Sequence, residues 1–131
     1  EGMVFDLEGA RLLFLPAHFL HSEGNFQVYD PVARILYTGD LGASLGMNYP
    51  CVTDFDAHIP YMESFHRRYM ASNKAMKAWA NMVRGLDIEI IAPQHGAFFK
   101  GKEMVQRFID WCADLECGVD LIGPLFKIPV A

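Results

Sequence analysis

Three polar side chains stand where a predicted β-strand gives way to a loop: His21, Asp40 and His95. The apolar runs that precede them are Leu12–Leu15, Ile35–Thr38 and Ile88–Ala92. A rigid sheet can hold such side chains at one rim while loops close over them. Imidazole and carboxylate groups are ligands that non-haem iron, manganese and zinc accept, and a carboxylate can bridge two metals. No cysteine follows a strand in the same way, which weighs against a thiolate site.

Each of these residues also has an ordinary structural explanation. A lone histidine is more often a surface or hydrogen-bonded residue than a metal ligand. An aspartate after a glycine, as in Gly39-Asp40, is usually a turn former that caps its own backbone. Taken singly, the three residues therefore leave the metal site and the simple turn both open.

The elements that must position these residues begin with two hairpins. Met3–Leu7 and Ala10–Leu15 flank the turn Glu8-Gly9, and the second hairpin pairs Asn25–Tyr29 with Arg34–Thr38. Residues 41–57 are rich in Gly, Asn, Pro and Asp without sustained periodicity, so a long and functional loop is predicted there.

The second part of the chain has helical spacing. His58 to Arg84 predicts either one helix or two, with Ser72 or Asn73 as a cap between them. A short strand is predicted over Asp87–Ala92, a helix over Lys102–Leu115 and a partly extended tail over 118–131. The fold class is therefore α/β, with helices on one face of a sheet whose other face needs a partner layer.

Composition excludes several classes of function. The 131 residues carry a formal net charge of −5, and their 11 Lys and Arg residues are scattered, so nucleic acid is not an expected partner. No apolar run approaches the roughly 18 residues that suggest a membrane span. The three cysteines form no CxxC pair and are expected to be reduced. A cytoplasmic protein is the expectation.

Three segments carry a family resemblance: Phe19–Phe26 (FLHSEGNF), Leu36–Asp40 (LYTGD) and Ile91–Gly96 (IAPQHG). In order and spacing they resemble the last three metal-ligand motifs of the flavodiiron and oxygen-binding di-iron branch of the metallo-β-lactamase superfamily. The resemblance implies that residues 1–131 form the C-terminal half of an αββα sandwich. It also implies that His21 ligates one iron, Asp40 bridges two irons and His95 ligates the second.

The family's first ligand cluster, of the form H-x-E-x-D-H, is absent from this chain. The chain opens at Glu1-Gly2-Met3, and we expect it to be a piece of a longer protein whose N-terminal half supplies that cluster. With three of about seven ligands, this chain alone is expected to bind metal weakly or not at all.

The resemblance implies binding or reduction of dioxygen, and of nitric oxide as a further ligand, for sensing or detoxification. No flavin site is expected in this chain, so an oxidoreductase would need a separate electron donor. His18 and Tyr69 are weaker candidates, as residues that orient the ligands.

Two other functions remain open. The first is a hydrolase with two zinc ions, although that branch usually has a Gly-His-Thr-x-Gly element where this chain has Leu20-His21-Ser22-Glu23-Gly24. The second is a structural or dimerisation module without a working site, in which the Met- and aromatic-rich segment from His58 to Arg84 serves a homodimer interface.

Overall fold

The computed structural model describes residues 1–130, which form one six-stranded mixed sheet. Its strands are β1 Met3–Leu7, β2 Ala10–Pro16, β3 Phe26–Asp30, β4 Ile35–Gly39, β5 Ile90–Pro93 and β6 Phe99–Lys100. They lie in sequence order across the sheet. All neighbours are antiparallel except β4 and β5, which are parallel.

Local turn chemistry explains both predicted hairpins. Glu8 and Gly9 have φ values of 49° and 91°, and the carboxylate of Asp6 accepts the Gly9 N–H at 2.9 Å. In the second turn, Oδ1 of Asp30 accepts the N–H of Val32 at 2.9 Å. Aspartate side chains stabilise turns in this way, so both predictions are confirmed to within one residue at each strand end.

The helices are α1 Phe55–His58, α2 Glu63–Tyr69, α3 Asn73–Val83, α4 Lys102–Asp114 and α5 Ile122–Leu125. Short 3-10 turns at Ile59–Tyr61 and Gly118–Leu121 precede α2 and α5. The side chain of Ser72 accepts the N–H of Ala75 at 3.1 Å and begins α3. The segment from His58 to Arg84 therefore contains two main helices, as one of the two predictions had it.

Two predicted boundaries are wrong, and one strand was not predicted. The predicted loop 41–57 already contains α1, because the side chain of Asp54 accepts the Ala57 N–H and caps it. The strand predicted from Asp87 begins only at Ile90. The partly extended tail predicted over 118–131 has helical turns over 118–125 and no regular secondary structure over 126–130, and residue 131 lies outside the described part. The two-residue strand β6 was not predicted, since so short a segment has no detectable periodicity.

The core lies between the sheet and the helices α3 and α4. The buried sheet side chains on this face include Gln27, Tyr29, Leu36, Thr38, Ile91 and Phe99. Phe99 stacks on Phe108 of α4 with ring centroids 4.4 Å apart. The indole N–H of Trp79 in α3 donates to Oε1 of Gln27 at 2.7 Å, so the polar group buried in this layer is satisfied.

The opposite face of the sheet is open and apolar. Because side chains alternate along a strand, the paired residues Met3, Phe14, Val28, Tyr37 and Ala92 form one row across five strands on that face. Tyr37 is 47% exposed and Phe26 43%. The prediction of helices on one face is confirmed, and the other face has the apolar character of a surface that meets a partner.

Among residues 1–130, no helix has both the length and the apolar character that crossing a membrane requires.

Candidate metal centre

Strand direction brings the three polar strand ends to one edge of the sheet. β2 and β4 each pair antiparallel with β3, so they run in the same direction, and β5 is parallel to β4. The C-terminal ends of these three strands therefore meet at the same rim. His21 lies in the loop after β2, Asp40 directly follows β4, and His95 lies two residues after β5.

At this rim the two imidazoles face different oxygens of one carboxylate. Nε2 of His21 lies 2.9 Å from Oδ2 of Asp40, and Nε2 of His95 lies 3.6 Å from Oδ1. The three side chains remain accessible, with exposed fractions of 40% for His21, 31% for Asp40 and 61% for His95. The rim is thus an assembled but uncovered cluster of two imidazoles and one carboxylate.

The loop that carries His21 is held by Asn25. The Nδ2 group of Asn25 donates to the carbonyl oxygens of Leu20 at 2.9 Å and Ala17 at 3.3 Å. Leu20 is buried in the core, and the peptide bond between Leu20 and His21 is cis. The His21 backbone is therefore anchored on its N-terminal side by a buried side chain and by an amide hydrogen bond.

Aromatic rings of α2 contact the His21 imidazole. The ring of Phe65 packs edge-on against it with centroids 6.3 Å apart, and Tyr69 lies at 6.2 Å. Tyr69, one of the two weaker candidates, is thus next to a predicted ligand, and half of its surface is exposed. These rings limit how far the imidazole can turn.

The Asp40 loop makes a series of backbone hydrogen bonds. The hydroxyl of Thr38 donates to the carbonyl of Leu41 at 2.6 Å, and the Ala43 N–H donates to the carbonyl of Asp40 at 3.0 Å. The Gln94 N–H donates to the carbonyl of Gly39 at 2.7 Å and ties this loop to the end of β5. Asp40 is therefore presented by a tight turn rather than by a mobile loop.

Ser44 holds the loop of His95. Its N–H donates to the His95 carbonyl at 3.3 Å, and its hydroxyl oxygen accepts the Ala97 N–H at 3.0 Å. Gly96, which lies between His95 and Ala97, has a φ of +87°, and a Cβ atom there would lie 2.2 Å from Oγ of Ser44. Only glycine fits this close approach, so the loops of Asp40 and His95 pack as one unit.

Two further histidines are fully buried close to the rim. His66 accepts the Gly42 N–H at Nε2 over 2.8 Å and is bonded to the Met62 carbonyl through Nδ1 at 2.6 Å. Burial lowers the pKa of His66 to about 4. Burial also lowers the pKa of His58, whose Nδ1 is bonded to the Tyr49 hydroxyl at 2.7 Å. Both imidazoles are therefore neutral near pH 7.

His18 is directed away from the cluster. Its Nδ1 is bonded to the Asn25 carbonyl at 3.2 Å and its Nε2 to the carboxylate of Glu1. Both nitrogens thus have partners other than His21, and a role of His18 in orienting that ligand stays a prediction. Its contact with Asn25 supports the loop and not the imidazole.

Among residues 1–130, no group of three or more His, Cys, Asp or Glu side chains is arranged so that it could hold a metal ion by itself. The geometry explains this, because the two histidines approach opposite oxygens of Asp40. An ion between His21 and Asp40, or between His95 and Asp40, would therefore have one nitrogen and one oxygen donor from this chain.

Comparison with known proteins identifies the family. The model of the family described as "ODP family beta lactamase" matches residues 1–96, which include all three predicted ligands and the strands that carry them. The chain belongs to the ODP family of β-lactamase-like proteins. No curated protein matches it.

Solved structures agree with the ODP family assignment. A structure described as the peroxy diiron species of the chemotaxis sensor ODP has 46% sequence identity and a TM-score of 0.91, over 95% of this chain and 54% of that chain. The apo state of the chemotaxis sensor ODP from T. denticola has 46% identity and a TM-score of 0.89, over 95% and 53%. This chain thus spans about half the length of these relatives.

A more distant structure shares the fold. Rubredoxin oxygen:oxidoreductase from Desulfovibrio gigas is 15% identical with a TM-score of 0.75, over 86% of this chain and 29% of that chain. The predicted fold class is confirmed: this member of the ODP family is half of a metallo-β-lactamase-like sandwich, with a mixed sheet and helices on one face.

The helical segment from His58 to Arg84 does not present the Met-rich surface that an interface would use. Met62, Met70 and Met76 are fully buried, and Trp79 is buried with them. Only Tyr61 and Tyr69 of its large apolar side chains are exposed. Helical periodicity indicates an apolar face without indicating what covers it, and here that face is buried in the chain's own core.

Proposed function

We propose that this chain supplies His21, Asp40 and His95 to a binuclear iron site that binds dioxygen. The observation that carries the proposal is the arrangement of the two imidazole Nε2 atoms against separate oxygens of the Asp40 carboxylate, at 2.9 and 3.6 Å. A carboxylate that is approached from both oxygens is suited to bridging two ions. The 46% identity to a protein described as a diiron chemotaxis sensor supports iron as the metal.

The donor set fits such a group. Imidazole and carboxylate ligands match ferrous ion, and the three cysteines lie elsewhere, two of them buried. His21 and His95 would each hold one ion, and Asp40 would hold both. Two ferrous ions bound there would supply the electrons and the open coordination positions that dioxygen binding requires.

The side chains around His21 restrict its motion. Phe65 and Tyr69 pack on the His21 ring, and Asn25 anchors the preceding backbone. The ring of Tyr69 lies 6.2 Å from the His21 ring, and its phenol could donate a hydrogen bond to a small ligand bound at the rim. We propose this as its role, in place of contact with metal.

The remaining ligands are proposed to come from an N-terminal half of the same domain. The open apolar face of the sheet is the surface where that half would pack, and this chain covers only 54% of the diiron relative. This arrangement accounts for a rim that holds one nitrogen and one oxygen donor for each ion. Residues 1–131 are thus proposed to be the C-terminal half of the domain.

The test is anaerobic reconstitution of the full-length protein with ferrous ion, followed by addition of oxygen. We expect two iron ions per protein and an optical band that appears only with oxygen. A protein that gains no such band, but with zinc alone cleaves ester or lactone substrates, would instead be a two-zinc hydrolase. A protein that binds neither metal would be the structural module.

Sensing is favoured over reduction because the sequence identity to a chemotaxis sensor is 46%, whereas the identity to an oxidoreductase is 15%. Reduction of dioxygen or nitric oxide would require a separate electron donor. Steady consumption of oxygen with a reductant would support the reductase, whereas stoichiometric binding would support the sensor. A homodimer and a cytoplasmic location stay predictions.

A further inference from the structure

The turn that carries Asp40 rests on a buried histidine that the proposed ligand set does not include. The Gly42 N–H donates to Nε2 of His66 over 2.8 Å, and the side chain of His66 has no exposed surface. Gly42 lies two residues after Asp40, and the carbonyl of Asp40 accepts the N–H of the next residue, Ala43, at 3.0 Å. His66 thus contacts the backbone of the turn at its centre.

The hydrogen bonds define which nitrogen of His66 carries the proton. Nε2 must be unprotonated to accept the Gly42 N–H, so Nδ1 carries the proton and donates it to the Met62 carbonyl at 2.6 Å. Both nitrogens are therefore used, and the ring of Trp111 packs edge-on against the imidazole at 5.3 Å. The imidazole has no freedom to shift without breaking one of these contacts.

Gly42 is equally confined from the other side. Its φ is +93°, and a Cβ atom there would lie 2.9 Å from Cγ of Pro93 and 3.3 Å from Cζ of Phe108. The backbone at this point is held between His66 and the end of β5. Small movements of His66 are therefore transmitted to the turn and not absorbed by empty space.

The helix that contains His66 also contacts the other predicted ligand of the same ion. Phe65, the residue before His66, packs on the His21 ring at 6.3 Å, and Tyr69 lies against it at 6.2 Å. α2 therefore contacts His21 by its aromatic side chains and the Asp40 turn by its histidine. One short helix links two groups that lie 2.9 Å apart.

We infer that His66 is a positioning residue, which sets the Asp40 carboxylate relative to His21 by holding the Gly42 N–H. It contacts no ligand and no metal itself. The inference rests on the proposed function, because it gives His66 a role in the affinity of the iron site.

Substitutions of His66 that keep different hydrogen bonds distinguish loss of the Gly42 hydrogen bond from a general loss of packing. In His66→Gln, Oε1 occupies the place of Nε2 and can accept the Gly42 N–H. In His66→Asn, the side chain reaches only the Met62 carbonyl, and His66→Met fills the volume without a strong acceptor. His58→Asn is the matched control, since His58 is equally buried but is bonded to Tyr49 and not to the Asp40 turn.

Two measurements are made on the full-length protein. The first is amide hydrogen exchange of Gly42 without metal, and the second is anaerobic titration with ferrous ion against a competing chelator. We expect faster Gly42 exchange and an affinity about tenfold to a hundredfold weaker in His66→Asn and His66→Met, the usual effect of losing a group that orients a ligand. His66→Gln and His58→Asn should keep the wild-type affinity.

Unchanged ferrous affinity in both His66→Asn and His66→Met, with wild-type protein binding two ions, would overturn the inference and leave the proposed function intact. An equal loss in His58→Asn would also overturn it, because general loosening of the core would then be the cause. Wild-type protein that binds no iron would overturn the proposed function, and this inference with it.

Discussion

Nε2 of His21 lies 2.9 Å from Oδ2 of Asp40, although two complete strands, β3 and β4, separate the two residues in the chain. The contact exists because β2 and β4 both pair antiparallel with β3, which returns the chain to the same rim. Asp40 faces His95 with its other oxygen at 3.6 Å. The carboxylate is therefore the one group in this cluster that contacts both of the others.

Substitution of Asp40 should affect both ions, whereas substitution of one histidine should affect mainly one. In Asp40→Asn the anionic bridge is lost, and we expect iron affinity to fall by at least about a hundredfold at both positions. His95→Ala should retain one ion. Metal analysis after anaerobic loading of the full-length protein measures this stoichiometry.

The control is Asp87→Asn, since Asp87 is an exposed carboxylate paired with Lys102 at 3.1 Å and lies away from the rim. It should keep two ions. Two tightly held ions in Asp40→Asn would contradict the bridging role.

Stability should fall on mild acidification because of the buried histidines. The pKa of His66 is about 4 in the folded protein and near 6.5 in an exposed chain. Between these values the unfolded chain takes up a proton that the folded protein does not, so the free energy of unfolding decreases as the pH falls from 6.5 to 4. The decrease from His66 alone is up to about 3 kcal/mol.

Urea unfolding of the metal-free protein at pH 7.5 and 4.5 measures this effect. His66→Gln removes the titrating group and should show a smaller decrease between the two values. An identical pH dependence in wild type and His66→Gln would show that His66 is not the buried neutral group described above. His58, whose pKa is lowered in the same direction by burial, should add to the decrease in both proteins.

A methyl group at position 42 should disturb the site more than one at position 9. Both glycines have similar φ values, +93° and +91°, but a Cβ at Gly42 would contact Pro93 and Phe108, whereas nothing lies within 4 Å of one at Gly9. We expect Gly9→Ala to lower the free energy of unfolding by about 1 kcal/mol through backbone strain. Gly42→Ala should lose a further 1–3 kcal/mol or so through overpacking.

Thermal or urea unfolding of the metal-free full-length protein compares the two variants, and ferrous titration shows whether the difference extends to the site. Gly42→Ala should also weaken iron binding, while Gly9→Ala should not. Equal stability of the two variants would mean that the packing around Gly42 relaxes freely.

The open face of the sheet should prove sensitive to charge in the full-length protein. Tyr37 is 47% exposed here and belongs to the apolar row, between Val28 and Ala92. If a second layer packs on it, Tyr37→Lys buries a charge, and the free energy of unfolding should fall by roughly 2 kcal/mol or more. Val32→Lys, at an 85% exposed position in the turn after β3, is the control and should change it by less than about 0.5 kcal/mol.

Urea unfolding measures both variants. A Tyr37→Lys protein as stable as Val32→Lys would argue against a covering layer on this face.

Much of the fold could be predicted because its signals are local. Asp30 and the Glu8-Gly9 pair mark turns by their own chemistry, and Ser72 marks the start of α3. The polar residues after β2, β4 and β5 could be grouped as a candidate site from their places at strand ends and from the family resemblance. Short elements such as β6 could not be predicted, because two residues are too few to show a hydrophobic periodicity.

The contacts that support the site were harder to predict from the sequence. His66 lies on the apolar face of an amphipathic helix and has the pattern of a core residue, and its bond to Gly42 joins residues 24 positions apart. His18 was expected near His21 from its sequence distance alone, but the loop between them turns its ring toward Asn25. Orientation within a loop is set by tertiary contacts that spacing does not encode.

The parallel pairing of β4 and β5 has a consequence for the order in which the chain folds. His21 and Asp40 come together when a simple antiparallel meander forms, but His95 reaches Asp40 only after the crossover that contains α1, α2 and α3 has closed. Long-range closure of this kind is slow, because its entropy is lost before any contact compensates for it. The three predicted ligands are therefore brought together only after this crossover has closed, so the rim is completed late in folding.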